Sequence, residues 1–175
     1  MAPLVQNITQ VGIVVRDLDK ALDQYANRLG VGPWRVYTYA PPKLTGMRIR
    51  GIETPYSMKL ALAWTNEMMW ELIQPLEGPS IYQEFLRDHG EGIHHVMVDY
   101  GDRTLAETTA EFTARGWPPV MEGIPRQPVR LLRDRGQPDH DDRGAVFRTG
   151  LAAAGAGLLV PGGAEMTGER RAWRN

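Results

Sequence analysis

The sequence predicts an α+β fold built from two copies of one strand–helix–strands module. Short β-branched runs alternate with helical apolar stripes, and the pattern of the first run and helix returns 85 residues further along the chain. The 175 residues suffice for one ordinary domain or for one domain made of two fused modules. A chain of this length buries about 68–70% of its unfolded surface, so it needs no disulfide or metal to hold a core.

The first module begins with a predicted buried strand over Ile8–Val15. An amphipathic helix follows, with Asp17 as its N-cap and Gly30 at its end. The apolar stripe of this helix consists of Leu18, Leu22, Tyr25 and Leu29. Four further strand-like runs follow, over Trp34–Tyr39, Met47–Ile52, Met58–Trp64 and Met68–Gln74. A short helix from Ser80 to about Asp88 then connects the two modules.

The second module repeats this beginning. Ile93–Val98 is the second β-run, and Asp102 is the predicted N-cap of a helix over Leu105–Arg115. The offset of 85 residues places Gln10 on His95. Because each copy has one apolar sheet face, the two copies are expected to pack together around a pocket.

The composition of the chain changes near residue 126. Residues 1–125 contain eleven basic and fifteen acidic residues, whereas residues 126–175 contain nine arginines, no lysine and six acids. Two interpretations stay open, a flexible Gly/Ala/Arg-rich tail and translation from a shifted reading frame. The predicted division is residues 1–88 for the first module with its linker helix, 89–125 for the start of an incomplete second module, and 126–175 for an atypical tail, out of frame or disordered.

Composition also excludes several classes of protein. A net charge of −1 gives no electrostatic reason to bind nucleic acid, and 42% hydrophobic content excludes a disordered chain. No run reaches the ~18–20 apolar residues of a membrane span, and the N-terminus lacks the profile of a signal peptide. The absence of cysteine excludes disulfides, thiol nucleophiles and cysteine-type zinc sites, and fits a reducing compartment. We therefore expect a cytoplasmic protein whose partner is a small-molecule substrate.

Three segments of the chain, taken in order, resemble the vicinal-oxygen-chelate superfamily, the fold of glyoxalases, bleomycin-resistance proteins and certain dioxygenases. They read ITQVGIVVRDLDKALDQYANRLGVGPW, MWELIQPLEGPSIYQEFL and GEGIHHVMVDY. The glyoxalase-like or methylmalonyl-CoA-epimerase-like branch is the most similar. The resemblance covers roughly residues 7–122 and implies two tandem βαβββ modules that form a cupped mixed sheet, with the second module incomplete. It also implies a homodimer, since modules of this family often pair between chains.

The resemblance implies a divalent metal ion held by Gln10, Glu71 and His95. In this superfamily the ion binds two vicinal oxygens of the substrate and stabilises an enolate-like intermediate, and Glu71 is the residue expected to serve catalysis. An oxygen-rich set with one imidazole suits Mn, Fe, Mg, Co, Ni or Zn. Histidine is usual in the slot of Gln10, whose neutral amide is a weaker ligand.

Each of these three residues also has an ordinary structural interpretation. Gln10 suits a hydrogen-bonded strand residue, Glu71 an exposed carboxylate, and His95 a core histidine. The neighbouring His94 is expected on the opposite face of the sheet, because side chains alternate along a strand.

Two further features of the family have no match at the expected positions. The fourth ligand, a glutamate on the last strand of the second module, is missing from the segment at 129–144, which is charged and interrupted by proline. Ile49 stands where the epimerase branch has an acidic base. An inactive chain therefore stays an alternative.

Four residues are expected to bind the substrate. Arg48 and Arg50 suit a clamp on a carboxylate or phosphate, with a solvated strand edge as the alternative. Trp34 and Trp70 suit a hydrophobic pocket wall, with core packing as the alternative.

Three functions remain open. The first is a metal-dependent isomerase, epimerase or lyase acting on a small carbonyl or CoA-thioester compound. The second is a non-catalytic protein that binds a small ligand in the same cup. The third is a ring-cleaving dioxygenase, which needs two histidines and one carboxylate, whereas this set offers one histidine.

Overall fold

A computed structural model describes residues 5–126 of the chain. It contains three helices, α1 (Leu18–Leu29), α2 (Ile81–Asp88) and α3 (Leu105–Ala114). The strands are β1 (Asn7–Val14), β2 (Arg35–Tyr39), β3 (Leu44–Ile49), β4 (Ile52–Glu53), β5 (Met58–Thr65), β6 (Met68–Pro75), β7 (Gly92–Asp99) and β8 (Met121–Pro125). The atypical tail predicted from residue 126, with the missing fourth ligand at 129–144, lies outside the described residues except for Arg126. Of the three helices, none is long and apolar enough to cross a membrane.

The strands form two sheets. Five strands lie in the order β2-β5-β6-β1-β7, with β1 parallel to β6 and the other pairs antiparallel. Three strands form a smaller antiparallel sheet in the order β4-β3-β8. The predicted α+β fold with a mixed sheet is therefore confirmed.

The internal repeat brings its two copies side by side. Strand β7 begins and ends 85 residues after β1, and the two strands pair with each other in antiparallel orientation. The helix that follows each strand is succeeded by a glycine with positive φ, Gly30 at 67° and Gly116 at 88°. Hence Gln10 and His95, which the offset aligns, lie on neighbouring strands.

The caps of the two repeated helices differ. Asp17 caps α1 as predicted, because its Oδ1 accepts a hydrogen bond from Lys20 N at 3.0 Å. The prediction of Asp102 as the cap of α3 is wrong, because Thr104 caps this helix in a reciprocal capping box with Glu107. A threonine followed three residues later by glutamate satisfies two backbone donors together, which Asp102 two residues upstream cannot do.

The predicted strand Met47–Ile52 is a hairpin in the structure. Strand β3 starts earlier, at Leu44, and the chain turns at Arg50 and Gly51, with φ of 49° and 79°, before β4. Two consecutive residues with positive φ are typical of a tight hairpin turn.

The large sheet has a core on each face. On one face α1 packs against apolar side chains that include Ile13, Ala61 and Leu72. The other face, which we call the inner face, packs against the small sheet and α2. Its fully buried side chains include Val14, Met58, Leu60 and Ile73, and Leu44 of the small sheet belongs to the same core. Each such side chain contributes about 1.5–3 kcal/mol of transfer free energy, so both faces hold the strands in place.

Candidate metal centre

Gln10, Glu71 and His95 lie on the three adjacent strands β1, β6 and β7. Gly12 on the central strand pairs with Glu71 on one side and with His95 on the other. Gln10 is two residues before Gly12 and therefore shares the inner face with these two side chains. Strand register thus brings together three residues that are up to 85 positions apart in the sequence.

Two of these side chains meet at one carboxylate oxygen of the third, Glu71. Gln10 Nε2 donates a hydrogen bond to Glu71 Oε2 at 2.5 Å, and His95 Nε2 lies 3.2 Å from the same oxygen. The exposed fractions are 5% for Gln10, 3% for Glu71 and 7% for His95. An exposed carboxylate at position 71 is therefore excluded. Buried polar groups need partners, and these three residues find them in one another.

A glycine makes this convergence possible. A Cβ atom at Gly12 would lie 2.5 Å from Nε2 and 2.6 Å from Nδ1 of His95. The imidazole of His95 therefore occupies the space that any other residue at position 12 would fill. Sequence reasoning missed Gly12, although a glycine within a predicted strand is itself a sign of close approach.

Two buried tyrosines lie within the electrostatic field of the carboxylate. Burial raises the pKa of Tyr39 to about 12, and Tyr37 and the charge of Glu71 add to this effect. Burial also raises the pKa of Tyr82 well above its usual value, again with a contribution from Glu71. Both phenols keep their protons at neutral pH and are hydrogen-bond donors beside the site. Sequence reasoning did not identify Tyr82 as part of the site.

The prediction that His94 lies on the opposite face is wrong. The register of β1 and β7 shifts so that Gly12 pairs with His95 and Ile13 with Ile93, which leaves His94 as an extra residue. Such a bulge breaks the alternation of side chains. As a result, Nδ1 of His94 lies 3.1 Å from Nδ1 of His95. Burial, with a smaller contribution from His95, lowers the pKa of His94 to about 4, so its ring is neutral at pH 7.

The residues Gln10, Glu71 and His95 are called the trio from here on. The two predicted arginines lie apart from it. Arg50 forms a bidentate ion pair with Glu84, with Nη1–Oε1 and Nη2–Oε2 distances of 2.9 and 2.6 Å. Arg48 is exposed on β3, where it pairs in register with Glu53 on one side and Glu122 on the other. The guanidinium of Arg50 is therefore already engaged.

Trp34 and Trp70 lie on the wrong face of the sheet for the expected pocket wall. Both pack in the core beneath α1, with their rings edge-on to Tyr25 at 6.2 and 5.9 Å. Their indole nitrogens donate to Val31 O and to Thr65 Oγ1. The physical reason is the alternation along β6, because Trp70 must face away when its neighbour Glu71 faces inward. Core packing is the interpretation that the structure favours for both.

The side chains of the trio fit a divalent ion and would supply part of its ligand shell. Residues 5–126 contain no group of three or more His, Cys, Asp or Glu side chains placed to hold a metal, so the trio depends on Gln10 as its third member. One carboxylate, one imidazole and one amide that converge on a buried point are suitable ligands for such an ion. Because Nε2 of Gln10 faces Glu71, the amide must turn before its oxygen can serve as a ligand.

Comparison with known proteins points to one superfamily. A model of the glyoxalase/bleomycin resistance protein/dioxygenase superfamily matches residues 9–130. No curated protein matches the chain.

Several solved structures are similar to the chain. Methylmalonyl-CoA epimerase from Mycobacterium tuberculosis is 22% identical, with 71% of this chain and 81% of that one covered and a TM-score of 0.48. A variant of Streptomyces coelicolor methylmalonyl-CoA epimerase in complex with 2-nitronate-propionyl-CoA is 16% identical, with 69% and 87% covered and a TM-score of 0.45. A hypothetical protein from Bacillus halodurans is 22% identical, with 68% and 83% covered and a TM-score of 0.45.

Proposed function

Because the chain belongs to the glyoxalase/bleomycin resistance protein/dioxygenase superfamily, we propose that it is a metal-dependent isomerase, epimerase or lyase. Its substrate is a small carbonyl or CoA-thioester compound that reacts through an enolate-type intermediate. The observation that supports this proposal is the contact of Gln10 and His95 with one buried carboxylate oxygen of Glu71. Members of the superfamily typically bind a divalent metal, and these three residues are the ones that would hold it here.

The bound ion, one of Mn, Fe, Mg, Co, Ni or Zn, would supply a Lewis acid that polarises the carbonyl oxygen of the substrate. Glu71 Oε2 takes part in both contacts of the trio, whereas Oε1 takes part in neither. We therefore assign to Oε1 the role of accepting the proton from the carbon next to the carbonyl. The protonated hydroxyls of Tyr39 and Tyr82 keep the surroundings free of a second negative charge.

A CoA-type substrate also has phosphate groups that lie at a distance from its reacting carbon. Arg48 is the arginine we propose for contact with such a group, because Arg50 is held by Glu84. Contact between Arg50 and the substrate would first require this ion pair to open. An exposed pair of this kind contributes only about 0–1 kcal/mol, so its opening is not prohibitive.

Metal analysis of the full chain tests the proposed function. After loading with Mn²⁺, Co²⁺ or Zn²⁺ and dialysis, the protein is expected to retain about one ion per chain, as a single site requires. His95→Ala and Glu71→Gln should lose the ion, because each removes one of the two strong ligands. His89→Ala is the matched control, since His89 is an exposed histidine at the end of α2. Loss of metal in all three variants, or none bound to the original protein, would contradict the proposal.

One observation favours a second function, the non-catalytic binding of a small ligand. The hydrogen bond from Gln10 to Glu71 already gives each of these buried side chains one partner without an ion. A ligand-binding protein would take up its ligand equally well in the presence of a chelator, whereas the proposed enzyme would lose its substrate or its activity. The dioxygenase ranks lower, because the trio contains one histidine where that chemistry needs two.

We also propose a homodimer that pairs through the outer edge of β7. Within residues 5–126 this eight-residue strand ends the large sheet, and Ile93 and Met97 on it are 66% and 37% exposed. Such an edge is a ready surface for a second strand, and an antiparallel copy of itself offers matching donors and acceptors.

Sedimentation at micromolar concentration checks the dimer. The protein should sediment as a dimer, and Ile93→Lys should sediment as a monomer because it places a charge at the edge. Ile52→Lys is the control, since Ile52 is 70% exposed on the edge strand β4 of the other sheet. A monomeric original protein, or equal effects of the two lysines, would contradict this assignment.

The division into residues 1–88 and 89–125 remains part of the proposal. So does a cytoplasmic location, which rests on the absence of cysteine from the sequence.

A further inference from the structure

Two consecutive histidines on β7 contact each other through their rings. Nδ1 of His94 and Nδ1 of His95 are 3.1 Å apart, and the far nitrogen of His95, Nε2, faces Glu71 Oε2 at 3.2 Å. The two contacts form a continuous line from the carboxylate through His95 to His94. Only the bulge in β7 permits this line, because regular alternation would separate the two rings.

Aromatic side chains of α2 hold the ring of His94 in place. Tyr82 lies edge-on to it with ring centres 5.1 Å apart, and Phe85 does the same at 5.0 Å. Tyr82 also lies against His95, with ring centres 6.3 Å apart. The orientation of His94 is therefore fixed by packing before anything binds at the trio.

The position of the protons follows from the partners of each nitrogen. The 3.1 Å contact between the two Nδ1 atoms is a hydrogen bond in which one nitrogen donates and the other accepts. An ion on Nε2 of His95 fixes both roles, because the hydrogen of His95 then has to sit on Nδ1 and His94 has to accept it.

We propose that His94 is a positioning residue that selects the metal-binding tautomer of His95. By accepting the hydrogen on Nδ1 of His95, Nδ1 of His94 leaves the lone pair on Nε2 of His95 free for the ion. Metal-ligating histidines generally donate a hydrogen bond from their second ring nitrogen to a fixed acceptor. Loss of that acceptor typically lowers metal affinity 10–100-fold. This inference rests on the proposed function, since it concerns the ligand of the proposed ion.

Two substitutions at position 94 separate the acceptor from the packing. His94→Phe keeps an aromatic ring between Tyr82 and Phe85 but removes the acceptor, so the dissociation constant for Co²⁺ should rise 10–100-fold. His94→Asn restores an acceptor close to the position of Nδ1, and its Co²⁺ affinity should return to within about threefold of the original protein. His89→Phe serves as the control for an added aromatic ring and should leave the affinity unchanged.

Nitrogen NMR of the unsubstituted protein gives a second readout that needs no variant to fold. In the Zn²⁺-loaded protein, Nδ1 of His95 should carry a hydrogen and Nδ1 of His94 should not. Unchanged Co²⁺ affinity in His94→Phe, or a hydrogen on Nδ1 of His94 in the loaded protein, would overturn the inference alone. If the original protein binds no Co²⁺, both this inference and the proposed function fail.

Discussion

Gly12→Ala is expected to displace the imidazole of His95 and to abolish metal binding at the trio. The added Cβ would lie 2.5 Å from Nε2 and 2.6 Å from Nδ1 of that ring, so the ring has to leave its place. Overpacking of this kind costs about 1–3 kcal/mol of folding free energy. Urea unfolding and Co²⁺ titration of the same sample would measure the two effects together.

A glycine on the partner strand provides the control for Gly12. Gly92 lies at the start of β7, pairs in register with Val14 on β1, and has no atom within 4 Å of the place that a Cβ would take. Gly92→Ala should therefore leave both stability and Co²⁺ binding close to their original values. Normal Co²⁺ affinity in Gly12→Ala would mean that His95 does not bind the ion from its observed position.

The internal repeat explains why much of the fold could be predicted. Local patterns identified β1, α1, β7 and the helix near Leu105, and the 85-residue offset related the two copies. Such patterns depend on residues close together in sequence, where capping and periodicity act. Even here the pattern indicated Asp102 as the cap, whereas the reciprocal contact with Glu107 makes Thr104 the actual cap.

The surroundings of the trio could not be predicted in the same way. The role of Gly12 depends on a register between strands that are about 80 residues apart, and no local pattern specifies that register. The bulge that turns His94 toward His95 is likewise a property of the pairing, not of the strand alone. By contrast, the direction of Trp70 toward α1 does follow from its neighbour Glu71, once Glu71 is placed on the inner face.

The Arg50 ion pair shows a further limit of sequence reasoning. Arg48 and Arg50 look equivalent on a strand, but the chain turns at Arg50 and brings it to Glu84, whose pKa falls because the guanidinium of Arg50 binds it. A turn that is mistaken for a strand therefore misassigns the partner of a charged side chain.

Gly78→Ala is expected to cause a larger loss of stability than alanine at any of the other glycines proposed for substitution. Gly78 has a φ of 79°, a conformation that costs other residues about 1–2 kcal/mol. A Cβ there would lie 2.9 Å from Tyr56 Cα and 3.1 Å from the carbonyl carbon of Pro55. These are backbone atoms, held in place because Ser57 N donates to Glu77 O at 2.8 Å. The clash adds about 1–3 kcal/mol to the conformational cost.

Gly90→Ala isolates the clash from the backbone conformation. Gly90 also has a φ of 79°, yet nothing lies within 4 Å of its Cβ position, so this variant should lose only the conformational part, about 1–2 kcal/mol. Urea unfolding of the two variants measures the difference directly. Because Gly78 lies just before α2, its substitution should also loosen the packing of Tyr82 against His95. Equal losses in the two variants would show that the segment of Pro55 and Tyr56 moves to make room for a side chain at position 78. The close approach of Gly78 to this segment would then contribute nothing to the free energy of unfolding.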